Sequence, residues 1–193
     1  MCFYFFYVNN HAFTRKSLYY DGVATFTPGP DLPNFIFGVV CLQNLNDEET
    51  LIVYRSAFIY NHNSNTFTRM SSQPGSGSDW EASSCGVTRD ANGNAQYVVI
   101  GGGRYMEDHV QILDIAARTW SVGPSLPSHL KATVAVPYKR SFLLVGGRSN
   151  EAFTDEVLEF DSENMRWISR PERMPGATSH HFAAWISDED ANC

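Results

Sequence analysis

The sequence lacks most of the patterns from which an activity is usually read. Its four cysteines, Cys2, Cys41, Cys85 and Cys193, form no C-x-x-C pair, which excludes the common zinc-ribbon and redox-dithiol arrangements. It contains no G-x-S-x-G elbow and no Walker or Rossmann glycine pattern, so the usual hydrolase and nucleotide-binding signatures are missing. There is no N-x-S/T sequon. No apolar run approaches the roughly 20 residues needed to cross a bilayer as a helix, so no membrane insertion is expected. The stretch Met1–Asn10 has neither a basic residue nor a small-residue cleavage site. It does not read as a signal peptide, and a cytoplasmic location is favoured. Positive charge is also scarce. Fourteen Lys and Arg stand against 21 Asp and Glu, a net charge of −7 over 193 residues, and nucleic acid and anionic membranes both call for the opposite sign.

What the sequence does contain is strand-forming material. Apolar residues make up 43% and aromatics 13%. Short runs of β-branched and aromatic residues are bounded by Gly, Pro, Asn and Asp, and no long window carries helical periodicity. Cys41 and Cys85 fall inside such runs and are read as small buried hydrophobes rather than disulfide partners.

The runs repeat. An aromatic anchor recurs at Phe26, Phe67, Trp120 and Trp167, at steps of 41, 53 and 47 residues. Asp21 lies five residues before the first anchor, and Asn61, Asp114 and Asp161 lie six before the others. Pro30, Pro124 and Pro171 each follow an anchor by four. Glycine pairs, Gly101-Gly102 and Gly146-Gly147, end an apolar run in two units, where a sharp exit from the sheet needs backbone freedom that only glycine has. Asn9-Asn10 and Tyr54-Arg55 occupy that slot in the other two. The second unit's interval from Val53 to Asn61 is short enough for a tight turn without glycine.

Four strands per unit are predicted. The second unit has them at Phe35–Leu42, Thr50–Val53, Ala57–Tyr60 and Thr66–Arg69. The third has Ala82–Thr88, Gln96–Ile100, Val110–Asp114 and Thr119–Val122. The fourth has Ala132–Val136, Ser141–Val145, Glu156–Phe160 and Arg166–Ser169. The first has three, Phe3–Val8, Lys16–Tyr20 and Ala24–Thr27, and a spare strand follows at His181–Ile186. Period and strand count together predict an all-β propeller of about four four-stranded antiparallel blades. It is either closed by the C-terminal strand joining the N-terminal blade or incomplete. The units span 1–34 (partial), 35–80, 81–128 and 129–176, with a closing strand in 177–193, all in one domain.

The glycine pair after an apolar strand, the Asp six before a Trp, and the Pro-x-Leu-Pro tail resemble kelch repeats. The resemblance covers nearly the whole chain and is closest in the third and fourth units. It implies that Gly101, Gly102, Asp114, Trp120, Gly146, Gly147, Asp161 and Trp167 are structural. It also implies that the loop after the second strand and the loop after the fourth lie on one face, where many members bind partner peptides. The positions directly after the glycines are Arg104, with Tyr105, and Arg148, with Ser149 and Asn150. A guanidinium there offers a bidentate fork to a carboxylate, so the expected partner is a protein or an acidic peptide. The alternative is that each arginine packs on its own blade or pairs with a local acid such as Glu107 or Glu151.

The resemblance also admits other functions. One is the substrate-recognition part of a ubiquitin-ligase adaptor. Others are an oxidase resembling galactose oxidase and a sialic-acid epimerase, for which no motif here selects. The six histidines are scattered. Of the adjacent pair, His180 and His181, strand geometry sends one to each face. The acidic clusters lack calcium-loop spacing. Gly101-Gly102-Gly103 joins two strands and opens no helix, so it is no phosphate cradle. No metal, cofactor or catalytic residue is expected.

Overall fold

The computed structural model describes residues 3–6, 17–20, 26–28, 31, 41–53, 57–70, 84–102, 108–149 and 152–178. Among them there is no helix. An N-terminal three-stranded antiparallel sheet joins β1 (Phe3–Phe6), β2 (Ser17–Tyr20) and β3 (Phe26–Pro28) in chain order. Three four-stranded antiparallel sheets follow. The first is β4 (Cys41–Asn44), β5 (Glu49–Val53), β6 (Ala57–Asn61) and β7 (Thr66–Arg69). The second is β8 (Ser84–Arg89), β9 (Ala95–Gly101), β10 (Val110–Asp114) and β11 (Thr119–Val122). The third takes β12 (Val134–Tyr138), β13 (Ser141–Val145), β16 (Val157–Asp161) and β17 (Arg166–Ser169). The loop between its second and third strands holds a small hairpin, β14 (Arg148–Ser149) with β15 (Ala152–Phe153).

The sheets pack through their faces. Along β9, Val98 and Ile100 turn to one side and join Cys41, Leu51, Val53 and Ile59 of the first sheet. Val99 turns to the other side and joins Phe142, Leu144, Leu158 and Phe160 of the third. The second sheet is covered on both faces, which is why its middle strands are continuous apolar runs rather than alternating ones. Gly86 on β8 has the Phe142 ring where a Cβ would stand. The first strands are neighbours, with β8 touching both β4 and β12.

The recurrent Asp or Asn has a local role. Asp114 Oδ1 accepts from Ala117 N at 2.8 Å, Asn61 Oδ1 from Ser64 N at 2.9 Å, and Asp161 Oδ1 from Asn164 N at 3.1 Å. Each side chain caps the turn between the third and fourth strands. Asn164 and then Arg166 hold the Asp161 carboxyl below its ordinary pKa. The fifth residue of each turn is left-handed: Asn65 (φ 56), Arg118 (φ 57) and Met165 (φ 50). The aromatic anchor then packs inward. Trp167 lies 4.9 Å from Phe160 and 5.9 Å from Phe142, centroid to centroid. Its Nε1 donates to Pro124 O at 3.0 Å. The anchor of one unit therefore bonds to the proline that follows the anchor of the unit before.

One expectation fails. Cys41 and Cys85 are joined, with an S–S distance of 2.12 Å and Cα atoms 5.5 Å apart. The pairing brings together the first strands of neighbouring sheets, 44 residues apart in sequence, a proximity that a strand-by-strand reading does not contain. Where described, the strands overlap those expected and end within a few residues of them, β12 starting at Val134; residues 35–40 of the expected Phe35–Leu42 and 82–83 of the expected Ala82–Thr88 lie outside the described residues. The expected closing strand, His181–Ile186, lies outside the described residues.

Candidate functional site

The strand exits build one face from the backbone up. Gly101 still belongs to β9, opposite Val110 and Ser84. The corner begins at Gly102 (φ 73), whose N–H returns to His109 O at 3.1 Å. Gly146 (φ 60) makes the same bond to Glu156 O at 2.8 Å. In hydrogen-bond register Gly102 therefore matches Gly146. A Cβ on Gly102 would meet Leu130 O, and one on Gly147 (φ 108) would lie 2.8 Å from Lys131 O. These glycines are where the loop following β11 crosses the corner. In the first sheet, only residues 54–56 separate Val53 from its partner Ala57, consistent with the expected short turn.

At the third-sheet corner three segments are joined by backbone bonds. Lys131 and Arg148 exchange N–H···O bonds of 3.1 and 2.8 Å. Gly147 N donates to Thr178 O at 2.7 Å, and Thr154 N to Gly147 O at 3.0 Å. Arg148 thus stands on a short strand held from both sides. It is half-buried, its guanidinium 6.0 Å from the centre of the Phe153 ring, at the outer limit of a cation–π contact. Phe153 is 60% exposed. Arg173 approaches Asp155 and Glu156 at 3.7 Å each, and Ser128 Oγ donates to Glu156 Oε2 at 3.3 Å. Of the expected site residues, Arg148 and Ser149 are adjacent on β14. Arg104, Tyr105 and Asn150 lie outside the described residues. Phe153 was not among the expected site residues; a lone aromatic in a polar loop was the available signal.

Two hollows among the described residues lie at the other end of the strands. A groove of about 790 Å³ is lined by Tyr97, Ile112, Thr119, Arg140, Glu163 and Met165, among others. A second, of about 500 Å³, is lined by Glu49, Ile59, Thr66, Arg69 and Arg118. Arg118, which lines the second, and Met165, which lines the first, hold the same turn position in successive units. Arg118 bridges the second groove to Glu49 at 2.6 Å, while Met165 takes its place in the first.

The chain matches no known protein-family model. No curated protein is detectably similar to it.

Chemistry at the described residues is sparse. No group of three or more His, Cys, Asp or Glu side chains there could hold a metal. Thr50 Oγ1 lies 2.8 Å from both His62 Nε2 and Asn44 Oδ1. This resembles a nucleophile with a base, but Thr50 is only 1% exposed. The contact ties the ends of β4, β5 and β6, and burial holds His62 below its ordinary pKa. No described helix is long and apolar enough to cross a membrane.

Proposed function

We propose that the chain is a kelch-type β-propeller, or part of one, acting as a non-enzymatic protein-binding module. Its partner is an acidic peptide segment, received on the face that carries Arg148 and Ser149. The architectural part of this reading is supported by the repeated four-stranded antiparallel sheets packed face to face, with their first strands side by side. Further support comes from the Asp-capped turns and from the Trp167 bond to the preceding unit. The functional part rests chiefly on one observation: the hairpin holding Arg148 near an exposed Phe153 is tied at its base by backbone bonds, Arg148 with Lys131 and Gly147 with Thr154 and Thr178. A preorganised cation beside an apolar ring costs little entropy to bind and offers a carboxylate both charge and direction. By the repeat, Arg104 and Tyr105 are the sequence counterparts of Arg148 and Ser149, and Asn150 is the next residue in the sequence.

The test is fluorescence polarisation of the folded protein against short acidic, neutral and basic peptides. Acidic peptides should bind, and more weakly as salt is raised. If no peptide class binds while the purified protein carries copper or converts a sugar substrate, the reading is wrong and the enzyme alternatives take its place.

A further inference from the structure

The two cysteines of the Cys41–Cys85 bridge adjoin the same apolar core but differ in burial. Cys41 is 1% exposed and belongs to the core shared by the first and second sheets, with Leu51, Val53 and Ile59. Cys85 is half-buried. It forms part of the wall of a cavity of about 100 Å³ between the first strands of three sheets, together with Gln43 of β4, Val87 of β8, and Ala135 and Pro137 of β12. Gln43 Nε2 reaches Cys85 Sγ at 3.6 Å.

Thiol–disulfide exchange begins when a thiolate attacks one of the two sulfurs, and the choice depends on access as well as on the leaving group. Attack on Cys41 requires an approach through packed side chains. Attack on Cys85 requires only entry into the cavity. We infer that Cys85 is an S-thiolation site for small thiols, with Cys41 as the leaving group. The thiolate RS⁻ bonds to Cys85 Sγ as the Cys41–Cys85 bond breaks. The bonding pair departs on Cys41 Sγ, which takes its proton from a second RSH and so leaves the RS⁻ of the next step. A second RS⁻ then attacks the sulfur of the bound R group, giving the disulfide RSSR and freeing Cys85 as a thiolate. The protein disulfide is reduced by two electrons and two small thiols are oxidised. A cavity of this size admits a molecule of a few heavy atoms, not the active-site loop of a reductase enzyme. The folded bridge therefore resists enzymatic dithiols while yielding to small ones.

The experiment treats the folded, oxidised protein briefly with 2-mercaptoethanol, quenches with acid, and maps the mixed disulfides by mass spectrometry. The adduct on Cys85 is expected to exceed that on Cys41 by at least about tenfold. In urea, where the surroundings are gone, the two should be labelled about equally. Comparable labelling in the folded protein, a preference for Cys41, or no adduct on either would overturn the inference. So would the absence of a Cys41–Cys85 cross-linked peptide before treatment.

Discussion

Reducing the Cys41–Cys85 bridge gives a stability change that can be worked out beforehand. The bridge closes a loop between residues 44 apart in sequence. In the chain-entropy account, closure of a loop of about 45 residues removes about 13 cal/mol/K from the unfolded ensemble, or about 4 kcal/mol at 25 °C. Native packing changes little on reduction, because Cys41 remains among Leu51, Val53 and Ile59 as a buried thiol. The assay is urea unfolding of the oxidised and fully reduced wild-type protein, followed by tryptophan fluorescence and far-UV circular dichroism. Coincidence of the two probes checks that a single free energy is meaningful. A loss of about 3–4 kcal/mol on reduction is expected, allowing for residual structure in the reduced unfolded chain. The Cys41→Ala/Cys85→Ser double variant should lose slightly more, because its smaller side chain at Cys41 leaves a void. A loss below about 1 kcal/mol would refute the reasoning, since a tie between two separate sheets cannot leave the unfolded chain so little constrained.

Other outcomes follow from the same geometry. Trp167→Ala should cost about 3–5 kcal/mol in urea unfolding, since it removes the ring against Phe142 and Phe160 and the bond to Pro124; a near-neutral value would undo the anchor assignment. Met165→Gly should raise the thermal midpoint by an amount worth about 1 kcal/mol, because a non-glycine residue at φ 50 is strained; a fall would mean that the Met165 side chain contributes more than the strain costs. His62 is held by burial below its ordinary value of 6.5. The unfolded chain therefore binds the proton more readily, and the stability linked to His62 is complete above that value and lost as pH falls below it. Urea midpoints between pH 7.5 and 5.5 should drop more steeply for wild type than for His62→Gln; equal slopes would remove His62 from the account.

The legible features were those encoded within one hairpin or one strand pair. Asp114 and Asp161 cap turns a few residues away, so their spacing to Trp120 and Trp167 could be read directly. The strands of the three complete sheets were visible because their apolar runs end at turn formers. Features that join one unit to another were hidden. Neither Cys41–Cys85 nor the Ser84 Oγ bond to Thr133 O can be seen without knowing which first strands are neighbours. Pro124, the acceptor of the Trp167 indole, is visible in the sequence as a repeat position, but its role as acceptor depends on how neighbouring units pack. Strand β14 has no signal in the sequence because two residues carry no periodicity; it pairs with β15, and Arg148 adds a bridge to Lys131 of the crossing loop. The left-handed turn residues Arg118 and Met165 gave no warning, since neither is a residue type that signals positive φ. At the candidate face the sequence singled out Arg148 but not Phe153 beside it.

The central claim is that the Arg148 face takes an acidic partner. The most direct test is polarisation titration of the tightest-binding acidic peptide against wild type and Arg148→Ala, with the melting temperature of both proteins measured alongside. Loss of a charge-assisted hydrogen bond of about 1.5–3 kcal/mol predicts roughly ten- to hundredfold weaker binding, at nearly unchanged melting temperature. Unchanged affinity, or a large fall in melting temperature, would show that Arg148 serves the fold and not a partner.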